Sequence, residues 1–207
     1  MSSIEFDLET VKAMALGGPG EITLRNLLAQ THDDRLEAVQ MAVDFACNEL
    51  QLNKHKKQDL DEDQLTVELC SLLKTFGLQV AHDEQIGGHC DIVVKGNDLF
   101  LWLAEAKMHT AYAWLDKGFK QLSTRYSTGV PGQDNGEVII YCFNKDAKAM
   151  VDKWREELTS RNPEVATKVS KCGSPLLFLS SHKHDASGLD FHVRHKAVAL
   201  YWSPKDN

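Results

Sequence analysis

Hydrophobic residues recur at helical spacing in the first part of the chain and form short continuous runs in the remainder. One predicted helix, at residues 34–52, carries five apolar side chains on a single face: Leu36, Val39, Val43, Ala46 and Leu50. Two shorter helices are predicted at 4–16 and 21–30, separated by the helix-breaking sequence Gly-Gly-Pro-Gly at 17–20. The polar stretch 53–63 changes from basic to acidic along its length, and we expect it to be a boundary.

Beyond this stretch the pattern predicts the order helix, three strands, helix, strand. The first of these helices begins near Asp61, whose combination with Gln64 is typical of a helix N-terminus, and it ends at Gly77. The elements predicted after it are strands at 78–82, 89–95 and 99–107, a helix at 112–126, a strand at 138–143, a helix at 147–161, and strands at 175–181, 191–195 and 197–202. This order predicts an α/β fold with a mixed sheet, in which an acidic helical extension (1–58) precedes the sheet-containing domain (59–207).

Composition and charge narrow the functional classes. Apolar residues make up 43% of the 207 positions, and no run of 18 apolar residues or signal-peptide pattern occurs, so we expect a cytoplasmic protein without membrane spans. The five cysteines are scattered and form no Cys-x-x-Cys pair, which argues against a disulfide framework or a thiolate zinc site. The net charge is −7, but residues 1–68 hold 14 acidic and 6 basic side chains, so the remainder is almost neutral.

A basic stripe lies within that neutral part. Between positions 107 and 125 the only acidic residue is Asp116, whereas four basic residues occur there: Lys107, Lys117, Lys120 and Arg125. Phosphate binding requires such a local excess of positive charge. The stripe therefore keeps nucleic acid among the candidate ligands of an otherwise acidic chain.

The candidate chemistry centres on Asp91, Glu105 and Lys107. Alternation along a strand places Glu105 and Lys107 on one face, and hairpin pairing brings Asp91 beside Glu105. Carboxylates are hard ligands for Mg²⁺ or Mn²⁺, and such an ion would polarise a phosphodiester and lower the pKa of the attacking water. Lys107 would orient that water or offset charge in the transition state. The alternative is an edge ion pair, since acid-x-Lys is a common tripeptide and recurs at 146–148.

Two helical residues are candidates to assist this trio. Glu68 lies at the flank of the apolar stripe of its helix and would look along the sheet toward the trio. Gln121 shares a helix face with Lys117 and Arg125 at a spacing of four residues. For each of them the alternative is an ordinary solvated position on a helix.

These residues, taken in order, resemble a known family. Glu68, Gly-His-Cys-Asp-Ile-Val-Val at 88–94, Leu-Ala-Glu-Ala-Lys at 103–107 and Lys-Gln-Leu-Ser-Thr-Arg-Tyr at 120–126 resemble the PD-(D/E)XK, or restriction-endonuclease-like, nuclease superfamily. The resemblance covers roughly residues 61–143 and implies an αβββαβ core.

The resemblance also implies roles for individual residues. Asp91 and Glu105 would be the metal ligands, Lys107 the residue that acts on the attacking water, and Glu68 an auxiliary acid. Gln121 and Tyr126 look like the Gln-to-Tyr helix signature of the exonuclease-type and several defence-associated branches. Their spacing here is one residue longer than the commonest form. Nucleic-acid contacts are expected from Lys117, Lys120, Arg125 and Tyr126.

We therefore expect a Mg²⁺-dependent nuclease, with Mn²⁺ able to substitute, that acts as a DNA endonuclease in prokaryotic or phage defence, repair or recombination. Two alternatives stay open: a non-catalytic nucleic-acid or protein binding module on the same fold, and a nuclease for RNA or branched junctions. Because the chain is small and acidic, we expect a homodimer or a protein partner for targeting. The acidic helices would cover a sheet edge, bind that partner, or mimic phosphate and restrain the nuclease.

Other conspicuous residues are expected to be structural. The tryptophans lie in apolar patterns and are expected in the core rather than as base-stacking platforms: Trp102, Trp114, Trp154 and Trp202. Four histidines near a predicted turn are expected to be exposed strand residues, with a zinc site as the alternative: His182, His184, His192 and His195.

Overall fold

The computed structural model describes residues 9–10, 17–170 and 173–206. The helices are α1 (Pro19–Leu28), α2 (His32–Leu52), α3 (Glu62–Thr75), α4 (Tyr112–Gln121) and α5 (Ala147–Arg161), with a 3₁₀ turn at Lys54–Lys56 and a π-helical turn at Leu122–Tyr126. The strands are β1 (Gln79–Gln85), β2 (His89–Lys95), β3 (Leu101–Met108), β4 (Asn135–Cys142), β5 (Ala166–Val169), β6 (Leu177–Lys183) and β7 (Asp190–Ala199). The helix predicted at 4–16 lies outside the described residues, apart from 9 and 10, which are helical.

The strands form one mixed sheet in the order β1-β2-β3-β4-β7-β6-β5, which confirms the predicted α/β class. The first three strands are an antiparallel meander, and α4 then crosses over to β4, which runs parallel to β3. β4 is also parallel to β7, whereas β6 and β5 continue the sheet in antiparallel pairs. The carboxyl ends of β3, β4 and β7 consequently lie at the same edge of the sheet.

Local sequence signals explain where α3 begins. The Asp61 carboxylate accepts the Gln64 N–H at 2.8 Å, and the Gln64 side chain accepts the Asp61 N–H at 3.0 Å. This reciprocal capping satisfies two backbone donors that a helix N-terminus would otherwise leave unpaired. The predicted start of the helix is therefore confirmed.

Each face of the sheet is covered by helices, and alternate strand residues point to opposite faces. On one face α2 and α3 pack against Ile92, Trp102 and Ala104. On the other face α4 and α5 pack against Val93 and Leu103. This two-sided burial explains why β3 reads as a continuous apolar run.

The described part of the predicted extension 1–58 belongs to the first of these layers. Asp44 of α2 accepts hydrogen bonds from two cations of β7, with Arg194 at 2.5 Å and Lys196 at 2.8 Å. The Gln51 side chain accepts the backbone N–H of Ala199 at 2.9 Å. α2 therefore shares one hydrophobic core with the sheet and is fixed to it by polar contacts. Among the described residues, no helix has the length and apolarity needed to cross a membrane.

Several strand predictions are wrong in detail. Leu99 is 82% exposed and lies in a turn where both Asp98 and Leu99 adopt left-handed backbone conformations, so β3 starts only at Leu101. The two strands predicted at 191–195 and 197–202 are the single strand β7. The pattern does not predict β5, because this mostly exposed edge strand has little hydrophobic signal.

The expected positions of several aromatic residues are also wrong. Trp102 and Trp154 are buried as predicted, but Trp114 is 36% exposed and Trp202 is 44% exposed. His195 is fully buried rather than exposed: its Nδ1 accepts the Trp154 indole N–H at 3.2 Å, so its Nε2 donates to Ser180 Oγ at 2.8 Å. Burial lowers the pKa of His195 to about 3. His184 is buried as well.

Candidate active site

Asp91, Glu105 and Lys107 meet at the carboxyl end of β3. The paired register of β2 and β3 ends at Ile92 and Ala104, and Asp91 and Glu105 are the next residues beyond this last pair. Lys107 Nζ donates to Glu105 Oε1 at 2.8 Å, to Asp91 Oδ2 at 3.2 Å and to the Ala106 carbonyl at 3.0 Å. These three acceptors match the three N–H groups of an ammonium. The two acids and the amine predicted from the sequence are thus brought together.

Asp91 is the more accessible of the two carboxylates. Its Oδ2 also accepts the backbone N–H of Ala106 at 2.8 Å, which fixes the side chain across the two strands. The side chain keeps 28% of its surface exposed. Asp91 is therefore both held in place and open to a ligand from solvent.

Glu105, in contrast, is buried and incompletely paired. The residue is 1% exposed, and its Oε2 has no hydrogen-bond partner within the described part of the chain. Burial, together with the negative charge of Asp91, raises the pKa of Glu105 to about 7 although Lys107 opposes the shift. For Lys107, burial alone would lower the pKa, but Asp91 and Glu105 outweigh it and the pKa is raised. The site therefore concentrates negative charge where water is largely excluded.

A glycine allows α4 to approach these side chains closely. A Cβ added to Gly118 would lie 2.9 Å from Lys107 Cγ and 3.3 Å from Glu105 Cγ. Such distances are shorter than ordinary van der Waals contact, so a larger residue at this position would displace Lys107. The lack of a side chain at Gly118 therefore allows α4 to lie this close to Lys107 and Glu105.

The structure adds Glu62, which the sequence analysis does not identify. This residue lies in the first turn of α3, and its Oε2 accepts the Met108 N–H at 2.5 Å and the Trp114 indole N–H at 3.4 Å. Its Oε1 is 3.6 Å from Lys107 Nζ. The only sequence signal is an acid directly after a helix cap, and that signal is common because it complements the helix dipole.

Glu68 is not brought together with the trio. Both of its carboxylate oxygens accept hydrogen bonds from Lys57 Nζ, at 2.6 and 2.7 Å. Six residues separate Glu62 from Glu68, and at about 100° per residue the two side chains leave α3 in different directions. Of these two acids of α3, Glu62 and not Glu68 is the one that contacts Lys107.

Gln121 and Tyr126 are joined above the amino end of β2. Gln121 Nε2 donates to the Tyr126 hydroxyl at 3.2 Å, and that hydroxyl donates to the His89 carbonyl at 2.8 Å. The π-helical turn between them, with Ser127 N donating to Leu122 O, contains one residue more per turn than an α-helix. This turn explains how residues five positions apart contact each other.

Tyr126 thus anchors the strand that carries Asp91. It is only 2% exposed, so its ring offers no surface for a nucleic acid. Burial, assisted by the charge of Glu105, raises its pKa to about 12, which keeps the hydroxyl a hydrogen-bond donor. The adjoining Gly87 packs so tightly on this turn that an added Cβ would overlap the Arg125 carbonyl oxygen.

The three basic residues predicted to contact nucleic acid differ in whether their charge is already paired. Lys117 is exposed, and its Nζ lies 4.7 Å from the centroid of the Trp114 ring. Lys120 is exposed but pairs with Asp116 at 2.8 Å. Arg125 is exposed and makes no side-chain bond to any described residue. Two of the three cations are therefore free to contact an anionic ligand.

The carboxylates fit a hard divalent cation that is completed by other ligands. Within residues 9–10, 17–170 and 173–206, no three His, Cys, Asp or Glu side chains form a ready-made metal cluster. Mg²⁺ needs only one or two protein carboxylates when waters and substrate phosphates supply its remaining oxygen ligands. Asp91 and the unpartnered Oε2 of Glu105 supply oxygens of that kind. The neighbouring Cys90 thiol is unsuited, because burial raises its pKa.

Comparisons with family models, with curated proteins and with solved structures found no match to this chain.

Proposed function

We propose that this chain is a Mg²⁺-dependent nuclease with a restriction-endonuclease-like core made of α3, β1, β2, β3, α4 and β4. The observation that carries the proposal is the convergence of Asp91 and Glu105 on Lys107, with one Glu105 oxygen buried and unpartnered. A buried carboxylate oxygen without a partner costs roughly 1–3 kcal/mol or more, because its hydration is lost without replacement. Such a cost is typical of a group that is kept for binding or catalysis.

The charge balance of the site favours a cation. Three carboxylates, those of Glu62, Asp91 and Glu105, lie within 3.6 Å of the single ammonium of Lys107. One positive charge cannot neutralise three carboxylates, and the pKa of Glu105 is raised by burial first and by the charge of Asp91 second. A divalent cation held by Asp91 and Glu105 would remove it.

The proposed roles follow from the contacts of each residue. The ion would supply Lewis acidity that polarises the phosphodiester and lowers the pKa of the attacking water. Lys107 now uses all of its N–H groups on Glu105, Asp91 and the Ala106 carbonyl. Once the carboxylates have another cationic partner, Lys107 can donate to water or to a phosphate oxygen, which stabilises the charge of the transition state. Glu62 acts as a positioning residue for Lys107 and for the end of β3.

The substrate is proposed to be DNA, cut internally. Lys117 and Arg125 lie on α4 and on the π turn that follow the site, and both are free to contact phosphates. Each phosphate contact releases counterions, so salt should weaken this binding, and two free cations should give only a shallow salt dependence. The mass of the protein in solution, alone or after isolation from cells, tests the predictions of a homodimer and of a targeting partner.

The proposal is tested by incubating circular plasmid and circular single-stranded DNA with the protein and Mg²⁺. We expect cleavage by the wild type and its loss, by a factor of 100 or more, in Glu105→Gln and Lys107→Met, as is typical when a charge stabiliser is removed. Lys148→Met is the matched control, because Lys148 belongs to the other acid-x-Lys tripeptide and pairs with Asp152 on the exposed face of α5.

The outcomes separate the alternatives. No cleavage of DNA by the wild type with either Mg²⁺ or Mn²⁺ contradicts the proposal. If the same protein still binds DNA, the non-catalytic binding module is favoured. Cleavage of structured RNA but not of DNA would support the proposed reaction and contradict DNA as its substrate.

A further inference from the structure

Two exposed tryptophans lie at the sheet edge that carries the candidate active site. Trp114 is in the first turn of α4, shortly after β3 ends, and Trp202 follows the end of β7. The residues that follow β3 and β7 are each hydrogen-bonded to β4 through the backbone. His109 N donates to Tyr141 O at 2.9 Å, and Leu200 N donates to Cys142 O at 2.8 Å. Because neighbouring strands are about 4.8 Å apart, β3 and β7 leave the sheet at a separation of roughly 10 Å.

Each of these indoles lies near a basic residue. Lys117 Nζ lies 4.7 Å from the Trp114 ring centroid. The Trp202 ring is 6.3 Å from that of His55, which belongs to the 3₁₀ turn Lys54–Lys56. Gln58 holds this turn against the end of β7 by donating to the Leu200 carbonyl at 2.8 Å.

The lysines of that turn are available to an anionic ligand. Lys54 and Lys56 form no ion pair with any residue the structure describes, in contrast to Lys57, which is paired with Glu68. The edge therefore carries two exposed indoles, one with Lys117 over its ring and the other beside a turn that contains two lysines free of a carboxylate partner. A single exposed apolar side chain would need no explanation, but two exposed indoles near basic residues at the edge of the candidate active site indicate a binding surface.

We propose that single-stranded DNA binds along this edge, with unpaired bases stacked on Trp114 and Trp202 and with phosphates contacted by Lys117, Lys54 and Lys56. Flat aromatic rings bind nucleotides of any sequence, because every base has a π-face, and adjacent cations follow the backbone. Bases inside a duplex are already stacked on each other and cannot use these rings. The site therefore selects unpaired DNA over duplex DNA. This inference rests on the proposed function in one respect only: a phosphodiester of the bound strand is taken to lie next to the carboxylates.

The test measures binding without cleavage. Fluorescence anisotropy of a labelled oligo(dT) is recorded in EDTA for the wild type, Trp114→Ala and Trp202→Ala. We expect each substitution to raise Kd about tenfold, the effect of losing one base stack, and the duplex of the same length to change less than twofold. Trp→Phe at either position should restore part of the affinity, because a phenyl ring still stacks.

Two further variants serve as controls. Leu99→Ala removes an apolar side chain that is more exposed than either indole and precedes β3 at its opposite end, and this substitution should leave Kd unchanged. Lys54→Ala combined with Lys56→Ala should weaken binding and reduce its salt dependence, since phosphate contacts release counterions. Thermal melting of every variant verifies that the fold is retained.

Unchanged affinity for oligo(dT) in both tryptophan variants would overturn the inference, as would an equal loss of affinity for the duplex. Tighter binding of oligo(U) than of oligo(dT) would overturn DNA as the ligand. The two proposals fail separately. A wild type that binds oligo(dT) through the tryptophans but cleaves nothing contradicts only the nuclease, whereas cleavage that is insensitive to both tryptophans contradicts only the stacking site.

Discussion

Lys107 Nζ lies 2.8 Å from Glu105 Oε1, and both side chains are buried at the end of β3. A buried ion pair is weak evidence for stability, because removing two charges from water offsets much of their attraction. Here the balance is less favourable still, since Asp91 and Glu62 add two more carboxylates around the same ammonium. The arrangement fits the proposed cation-dependent reaction better than a contribution to folding.

Replacing Lys107 by Met should destabilise the protein by about 3–5 kcal/mol, because Glu105 would remain buried without its counterion. Mg²⁺ or Mn²⁺ should restore a large part of this loss by taking the place of the ammonium charge. Differential scanning calorimetry with and without the metal measures both effects. Lys148→Met should melt like the wild type under both conditions, and a Lys107→Met protein that is indifferent to metal would contradict the cation-binding role of the carboxylates.

Metal affinity should depend on pH through Glu105. Its raised pKa, about 7, means that a proton competes with the metal below neutrality, so Mn²⁺ affinity should rise up to about tenfold per pH unit from pH 6 and level off above pH 7. Paramagnetic resonance of free Mn²⁺ measures this dependence. Glu137 has a similar raised pKa from burial but lies beside Arg194 on the opposite sheet face, so Glu137→Gln should keep the profile. A flat profile in the wild type would exclude Glu105 as a ligand.

Gly87 and Gly188 provide a matched pair for the contact beneath Tyr126. Both have left-handed backbone angles, with φ of 64° and 68°, but an added Cβ would meet nothing at Gly188 and would overlap the Arg125 carbonyl at Gly87. Gly188→Ala should therefore cost only the conformational strain, about 1–2 kcal/mol. Gly87→Ala should cost clearly more and should also reduce cleavage, because the turn next to Asp91 must move. Equal urea midpoints for the two variants would contradict this packing.

His195 should make the protein sensitive to acid. Its folded-state pKa of about 3 is below the ordinary value of 6.5, so the unfolded chain binds the extra proton and stability is lost as pH falls through 6.5 toward 3. Between about pH 6.5 and 4.5 the loss should amount to roughly 2–3 kcal/mol. Urea unfolding at several pH values should show a shallower slope for His195→Gln. The exposed His192→Gln should keep the wild-type slope; identical slopes in all three proteins would contradict the neutral, buried imidazole.

The sequence was sufficient to predict the trio because its geometry is local. Alternation along β3 and the pairing of adjacent strands place Asp91, Glu105 and Lys107 together whatever the rest of the chain does. The contribution of α3 was not predictable in the same way. Whether Glu62 or Glu68 faces the site depends on how the helix is rotated on the sheet, which is decided by packing of the whole apolar face.

Other differences have similar physical causes. Trp114 and Trp202 lie in apolar stretches, but they occur just beyond the ends of elements, where hydrophobic pattern does not determine burial. Conversely, His195 is buried because Trp154 and Ser180 satisfy both ring nitrogens, and those partners are distant in the sequence. The only sign of the π-helical turn in the sequence is that Gln121 and Tyr126 are one residue further apart than in the commonest form of the Gln-to-Tyr signature.

The central claim is that Asp91 and Glu105 hold a divalent cation beside Lys107. Anomalous diffraction from crystals soaked in Mn²⁺ tests it most directly. We predict an anomalous peak within about 2.0–2.3 Å of an oxygen of each carboxylate, as expected for a hard cation of this size, together with movement of Lys107 Nζ away from at least one of them. The absence of a peak at this position, with both Lys107 hydrogen bonds intact at a metal concentration that supports cleavage, would contradict the claim.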